Sequence, residues 1–171
     1  MSGVFGEGAN NANGRKSVEW YTPKWIFDEL NVVFDLDPSS PHDHESFVPA
    51  DEKYTIFDDG LSKPWHGRVW LNPPYGRDTP FWMNRMIDHG NGIALVFSRT
   101  DAKWFQDAMK AATAVLFVAG RIEFVPGNEN KHKKSRSGAG TALFAFGEDN
   151  ARVLRRLAYK GVFFATGDIA A

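Results

Sequence analysis

Val69-Trp70-Leu71-Asn72-Pro73-Pro74-Tyr75-Gly76 decides how the rest of the chain is read. An apolar run stops abruptly at a polar amide, two prolines and an aromatic ring, the pattern of a buried strand that ends where a site begins. Pro73 and Pro74 have no backbone N–H and a fixed φ, so the strand stops there and the main chain does not turn back into a helix. The stretch therefore predicts a stiff loop at the carboxyl end of a strand, where open α/β sheets place their ligands. It presents the Asn72 amide, backbone carbonyls without a sheet partner, and the Tyr75 ring.

Those groups suit a flat molecule with an exocyclic amino group. The Asn72 amide oxygen and the Pro73 carbonyl can both accept from such an NH₂, localising its lone pair on nitrogen, while Tyr75 stacks on the ring. A base inside a duplex has to be flipped out to reach them. The bland alternative is a structural Asn-Pro-Pro turn closing a core strand, since prolines do end strands. As it stands, Asn72 to Tyr75 resembles motif IV of the amino-methyltransferases that use S-adenosylmethionine.

On the N-terminal side, Pro64-Trp65-His66-Gly67 and Asp58-Asp59-Gly60-Leu61 are turns feeding the central strand, and one carboxylate of the second turn can face the site. From His42 to Leu61 the sequence is polar and irregular. His42, Asp43, His44 and Glu45 stand close together, but their spacing in a Pro-bounded loop lacks the helical-face logic of a metal motif, and no metal is expected. Val32 to Asp37 reads as a buried strand ended by Pro38-Ser39-Ser40-Pro41. A carboxylate at a strand tip binds a hydroxyl or a cationic amine, and Asp37, last before the break, is the better candidate. Upstream, Thr22 as N-cap and Pro23 in the first turn predict a helix to about Leu30, whose free N–H groups also suit a carboxylate. Residues 1–17, rich in Gly, Asn and Ser, are expected to form a flexible arm.

Downstream, Asp78 to Ile87 suits a helix with Phe81, Trp82, Met83, Met86 and Ile87 apolar. Asn91-Gly92 breaks it, and Ile93 to Phe97 is a short strand of the kind buried on both faces. Ser98-Arg99-Thr100-Asp101 closes that strand and caps a helix to about Ala112, its polar groups rimming the same cleft. Ala114 to Val118 and Gly120 to Val125 are further strands. Between Pro126 and Gly140 lies a loop carrying Lys131, His132, Lys133, Lys134 and Arg136, placed to touch a phosphate backbone with a salt-dependent affinity. Thr141 to Gly147 returns as a strand, Asp149 caps a last amphipathic helix, and Gly161 ends it before Val162 to Ala165. Strand and helix alternate, which implies parallel crossovers.

The chain has 171 residues, room for one domain with a core that needs no staples, and it contains no cysteine. Disulfides, thiolate zinc sites and Cys nucleophiles are therefore excluded. No apolar run approaches the ~20 residues of a membrane span, and a signal-peptide core is missing. Net charge is −1, yet residues 1–60 hold 4 Lys/Arg against 12 Asp/Glu, and residues 61–171 hold 16 against 9. An acidic part suits a cationic sulfonium cofactor and a basic part a phosphate backbone; unevenly distributed surface charge is the plain alternative.

In this order the features resemble the phage-type DNA N6-adenine methyltransferases, the Dam-like family. The resemblance covers about residues 19 to 147 through Trp20-Tyr21-Thr22-Pro23, Leu36-Asp37-Pro38, Asp59-Gly60-Leu61, Val69 to Gly76, Arg99-Thr100-Asp101 with Trp104-Phe105, and Gly120-Arg121-Ile122-Glu123-Phe124. It implies a single Rossmann-like α/β methyltransferase domain over residues 18–171, with a mostly parallel sheet, helices on both faces and an antiparallel C-terminal part. It implies S-adenosylmethionine as methyl donor, adenine of double-stranded DNA as acceptor, and a cytoplasmic enzyme of a bacterial host, phage or prophage encoded. Asn72, Pro73, Pro74 and Tyr75 then form the catalytic loop. Tyr21, Thr22 and Pro23 line the methionine end of the cofactor, Asp37 and Pro38 sit at its strand tip, and Asp59 is a further cofactor residue. Lys131, Lys133, Lys134 and Arg136 are the DNA-binding residues. The glycine-rich turn usual after the first strand is absent; Asp37-Pro38-Ser39-Ser40 takes its place. Two alternatives stand beside this reading: transfer to cytosine N4 or a protein glutamine, and an inactive nucleic-acid-binding protein of the same fold. The basic loop and the motif order favour DNA.

Overall fold

The central strand, β4, is only three residues long, Val69–Leu71, and all three are buried. Its neighbours on both sides explain why so short a strand holds. In the computed structural model, which describes residues 20–42, 46–126 and 138–168, β4 lies third in a seven-stranded sheet. The elements in chain order are β1 Trp20–Tyr21, α1 Lys24–Leu30, β2 Phe34–Asp37, β3 Ala50–Lys53, β4, α2 Thr79–His89, β5 Gly92–Phe97, α3 Lys103–Ala111, β6 Ala114–Val118, β7 Val125–Pro126, β8 Thr141–Phe146, α4 Glu148–Leu154 and β9 Gly161–Ala165. The sheet order is β3-β2-β4-β5-β8-β6-β9, and β1 and β7 form a separate two-stranded ladder.

The first three pairings, β3 with β2, β2 with β4 and β4 with β5, are parallel. The remaining three, β5 with β8, β8 with β6 and β6 with β9, are antiparallel. The parallel part is thus half of the sheet, where the resemblance implies most of it. Alternating residues serve two cores, as the period of two along a strand requires. Trp70, Ile93, Leu95, Leu143 and Ala145 face α1 and α4, through Ile26, Phe27, Leu30, Val153 and Leu154. Val69, Leu71, Ala94, Val96, Ala142 and Phe144 face α2 and α3, through Trp82, Met83, Met86, Phe105 and Ala108. Helices therefore cover both faces, as expected. Trp70 anchors the first core, edge-on to Phe27 at 4.7 Å and to Phe34 at 5.4 Å. Burying a side chain of that size contributes about 1.5–3 kcal/mol.

Gly92 opens β5 against β4 with φ +154°, and a Cβ there would overlap the Val69 carbonyl. Only glycine lets the two strands approach so closely at that point.

Five local expectations change. Ser98 to Asp101 do not cap the next helix: α3 begins at Lys103 with Ala102 in the N-cap position and no side-chain cap bond. Thr22 does not cap α1: the helix begins at Lys24 with Pro23 in the N-cap position and no side-chain cap bond, because the Thr22 hydroxyl is engaged elsewhere. Gly120 to Val125 is not one continuous strand: Glu123 forms an isolated bridge and Val125–Pro126 pair with Tyr21 and Trp20, while Ile122 and Phe124 turn inward as buried plugs. Gly147, at φ +91°, takes the N-cap position before α4, and Asp149 lies in the first turn. Ala50–Lys53, inside the segment read as irregular, is the edge strand β3. After the half-buried Ala50 it is charged and exposed, an edge strand with one neighbour, so neither alternation nor apolar content marks it.

Candidate active site

β2 and β4 are adjacent and parallel, with Leu36 opposite Val69, so their tips leave the sheet side by side. Each tip has the same build: a buried leucine, a polar residue and a proline. The first ends in Asp37-Pro38, the second in Asn72-Pro73-Pro74. Ser39 ties them together, its hydroxyl donating to the Asn72 carbonyl oxygen at 2.9 Å.

The Asn72 side chain is fixed from two sides. Its amide nitrogen donates to Thr22 Oγ1 at 3.3 Å, which turns the amide oxygen the other way, and the Tyr75 phenol approaches that oxygen at 3.5 Å. At that length the second contact is weak, so a better donor can replace it. Thr22, 5% exposed, is thus an orienting residue for Asn72. Helix α1 loses a cap and the corner gains a partner.

Two bonds lock the proline loop behind Asn72. The Thr79 hydroxyl donates to the Pro74 carbonyl at 2.9 Å, and the Gly76 N–H donates to Thr79 Oγ1 at 3.0 Å. Pro74's carbonyl is thereby occupied, whereas Pro73's accepts no hydrogen bond among the described residues. The Tyr75 ring stacks on Phe97 at the end of β5, with centroids 4.0 Å apart and planes 13° from parallel. Phe97 in turn meets Phe124 edge-on at 6.0 Å. Burial pushes the Tyr75 phenol above its ordinary range, against smaller opposing effects of the Phe97 backbone and the Arg99 charge, so Tyr75 works here as a neutral phenol and a flat surface.

Asp37 is the second chemical centre. It is 3% exposed, and burial pushes its carboxyl from the usual 3.8 up to about 7, although the Ser39 N–H, the charge of Lys53 and the Ser40 hydroxyl all pull it down. Ser39 N–H donates to Asp37 Oδ1 at 3.2 Å. A carboxylate held this way gains from a cationic or hydroxylic partner, because the partner replaces lost hydration.

The other candidate residues are placed as follows. Pro23 and Pro38 are buried beside Thr22 and Asp37, and Tyr21 is half-buried, its backbone paired with Val125. Asp59 is exposed and sits at a left-handed φ of +54°. Its neighbour Gly60 packs so tightly on Pro38 that a Cβ would overlap the Pro38 carbonyl, so the Asp58-Asp59 turn lies against the β2 tip. Asp58 serves that turn: bonds from Lys63 at 2.7 Å and from the Thr55 N–H and hydroxyl at 2.8 and 3.0 Å hold its carboxyl down to about 2. Lys131, Lys133, Lys134 and Arg136 lie outside the described residues, as do residues 1–17, Asp43, His44 and Glu45. Among the described residues no group of three or more His, Asp or Glu is arranged to hold a metal, and no helix is long and apolar enough to cross a membrane.

Sequence reasoning missed Thr22 as an orienting residue, Ser39 as the tie and Phe97 as the ring under Tyr75. Phe97 is an aromatic residue at the end of an apolar run, immediately before Ser98, and that position is the one signal that would have separated it from the core.

A family model described as DNA N-6-adenine-methyltransferase (Dam) matches residues 10–159. The chain belongs to the Dam family. A DNA N-6-adenine-methyltransferase of Escherichia phage T1 is 27% identical over 139 residues, which cover 75% of this chain and 56% of that relative. This Dam-family chain thus spans little more than half the length of the relative. No solved structure matches it. The Dam match includes both strand tips and the Tyr75–Phe97 pair, and the comparisons give no support to a cytosine, protein-glutamine or inactive alternative.

Proposed function

We propose that this protein transfers a methyl group from S-adenosylmethionine to the N6 amino group of adenine in double-stranded DNA. The observation that carries the reading is the pair of strand tips: a neutral amide corner, Asn72 to Tyr75, tied by Ser39 to a buried carboxylate, Asp37, in a chain of the Dam family. On this reading the domain is Rossmann-like, with the site across the carboxyl ends of β2 and β4.

The donor set at the β2 tip fits the aminoacyl end of the cofactor. Asp37 offers a buried carboxylate whose ionisation an ammonium group favours, and Tyr21, Thr22, Pro23 and Pro38 wall it in. Asp59, on the turn packed against Pro38, is the proposed outer cofactor residue. When bound, S-adenosylmethionine supplies an activated methyl group, so the protein's task is positioning rather than covalent catalysis.

At the second tip, Asn72 Oδ1 and the Pro73 carbonyl accept the two amino protons of a flipped adenine and turn the nitrogen lone pair toward the donor. The weak Tyr75 contact to Asn72 gives way to the stronger one from the substrate. One face of Tyr75 rests on Phe97, and the other receives the purine. Lys131, Lys133, Lys134 and Arg136 are proposed to meet the phosphate backbone.

Incubation of the protein with methyl-labelled S-adenosylmethionine and unmethylated duplex DNA, followed by nucleoside analysis, tests the proposal. Label in N6-methyladenine is the expected result. Label in cytosine or in protein, or none at all, overturns it.

A further inference from the structure

The proposed function assigns no role to Arg99-Thr100-Asp101 or to Gly120-Arg121, although the topology brings both beside the corner. β5 and β6 each run antiparallel to β8, so they point the same way, and β5 is parallel to β4. The loops that follow β4, β5 and β6 therefore leave the sheet at one edge. Each carries an arginine: Arg77 two residues after Tyr75, Arg99 two after Phe97, and Arg121 three after Val118.

The arginines of the described residues fall into two groups. Arg68 bonds the Asn150 side chain, Arg85 the Lys63 carbonyl, Arg152 the Asp149 carboxylate and Arg156 the Leu30 and Asn31 carbonyls, while Arg155 lies over the Phe163 ring. Arg77, Arg99 and Arg121 are exposed, and among the described residues their side chains make no hydrogen bond, ion pair or ring contact. Among the described residues, the unengaged guanidinium groups are the three on the site edge.

Two observations tie Arg99 and Arg121 to the corner, and Arg77 follows it directly in the chain. Ser98 N–H donates to the Gly140 carbonyl at 2.8 Å, extending the β5–β8 pairing past Thr141, and a Cβ on Gly140 would stand 3.5 Å from Ser98 Oγ and 3.7 Å from Arg121 Nη1. Arg121 thus reaches from the β6 end to the β5 end. The charge of Arg99 is felt at the Tyr75 phenol.

We infer that Arg77, Arg99 and Arg121 form a phosphate-gripping rim that holds the DNA strand on either side of the target nucleotide. A guanidinium presents a planar fork that matches a phosphodiester, and among the described residues these three have no partner to give up on binding. A rim on three loops also holds the backbone in register with the corner, which one loop cannot do. The inference rests on DNA being the substrate, as proposed above.

Its test is binding of a fluorescent unmethylated duplex oligonucleotide to the full chain over a series of salt concentrations. Each phosphate contact contributes about 0.9 to the slope of log affinity against log salt. Arg77→Ala, Arg99→Ala and Arg121→Ala are expected to reduce the slope by about one each, and the triple variant by about three. Lysine at each position keeps most of the slope, and Arg152→Ala, on α4, leaves it unchanged. The inference is overturned by a triple variant with the wild-type slope while wild-type protein binds and methylates DNA. If wild-type protein neither binds DNA nor transfers label to it, the proposed function fails first and the rim with it.

Discussion

The tips of β2 and β4 share one build and do different work. Both follow a buried leucine, both end in proline, and they lie next to each other, yet one presents Asp37 and the other Asn72. The difference lies in what burial does to each group. An amide carries no charge, so the partial burial of Asn72 costs only hydrogen bonds to water, and Thr22 and Tyr75 supply partners. A carboxylate loses hydration, and at the β2 tip the partners present do not replace it, which raises the group's pKa to about 7. One tip is complete without a ligand and aims an acceptor. The other lacks partners for its charge, and under the proposed function a cation supplies them.

The comparison breaks most readily at Asn72. Asn72→Ala is expected to lower methyl transfer by on the order of 10²–10³-fold, the effect of removing one positioned polar group from a reacting centre. Binding of S-adenosylmethionine by calorimetry should change little, because the β2 tip is intact. Equal losses of binding and turnover would show the tips to be one unit.

Asp37 gives the next largest effect, and it has a sign. The folded carboxyl has its pKa raised from 3.8 to about 7, so the ligand-free fold is most stable below about pH 4 as far as this group is concerned. That contribution is lost as pH rises through about 7, by on the order of a few kcal/mol. Urea unfolding of wild type at pH 5 and pH 8 should show the decline, and Asp37→Asn should flatten it. A cationic ligand reverses the balance: its affinity should rise with pH through about 7 in wild type. In Asp37→Asn it should be about 10–100-fold weaker at pH 8 and insensitive to pH, consistent with loss of a charged hydrogen bond.

A smaller effect sharpens the role of the aromatic pair. Tyr75→Phe should cost less than about threefold in kcat/KM, since the phenol contact is weak. Phe97→Ala should cost about 10-fold, appearing chiefly in kcat, because the stack under Tyr75 is worth about 0.5–1.5 kcal/mol and sets where the purine lies. Steady-state kinetics on duplex DNA separates the two. The reverse order would place the chemistry on the hydroxyl. Smallest of all, Thr79→Val should lower stability by about 1 kcal/mol through loss of its two loop bonds, read as a few degrees in Tm, with a modest loss of turnover.

The strands that carry the site were legible wherever burial was two-sided. Ile93 to Phe97, Ala114 to Val118 and Ala142 to Phe146 are apolar throughout because a helix layer covers each face, and all three lie in strands with nearly the expected bounds. Ala50–Lys53 was not legible, since an edge strand needs only backbone partners and imposes no pattern on its side chains. Gly120 to Val125 misled in the opposite direction: Ile122 and Phe124 alternate like a strand but plug the core from an irregular path. Thr22 before Pro23 carries the local signature of a cap, and the hydroxyl went to Asn72, 50 residues away, instead.

The sequence by itself determined where the chain must stop and what it must show there, because proline and glycine act on their own backbone and a run of apolar residues has to be buried whatever surrounds it. Asp37-Pro38 and Asn72-Pro73-Pro74 are therefore readable as strand tips from residue identity alone. Only the tertiary structure decided that the two tips are neighbours, that Ser39 joins them, that Phe97 lies beneath Tyr75 and that three arginines share their edge. Those relations depend on which strands pair, and pairing is set by the sum of many weak contacts between segments far apart in the chain, which no local pattern encodes.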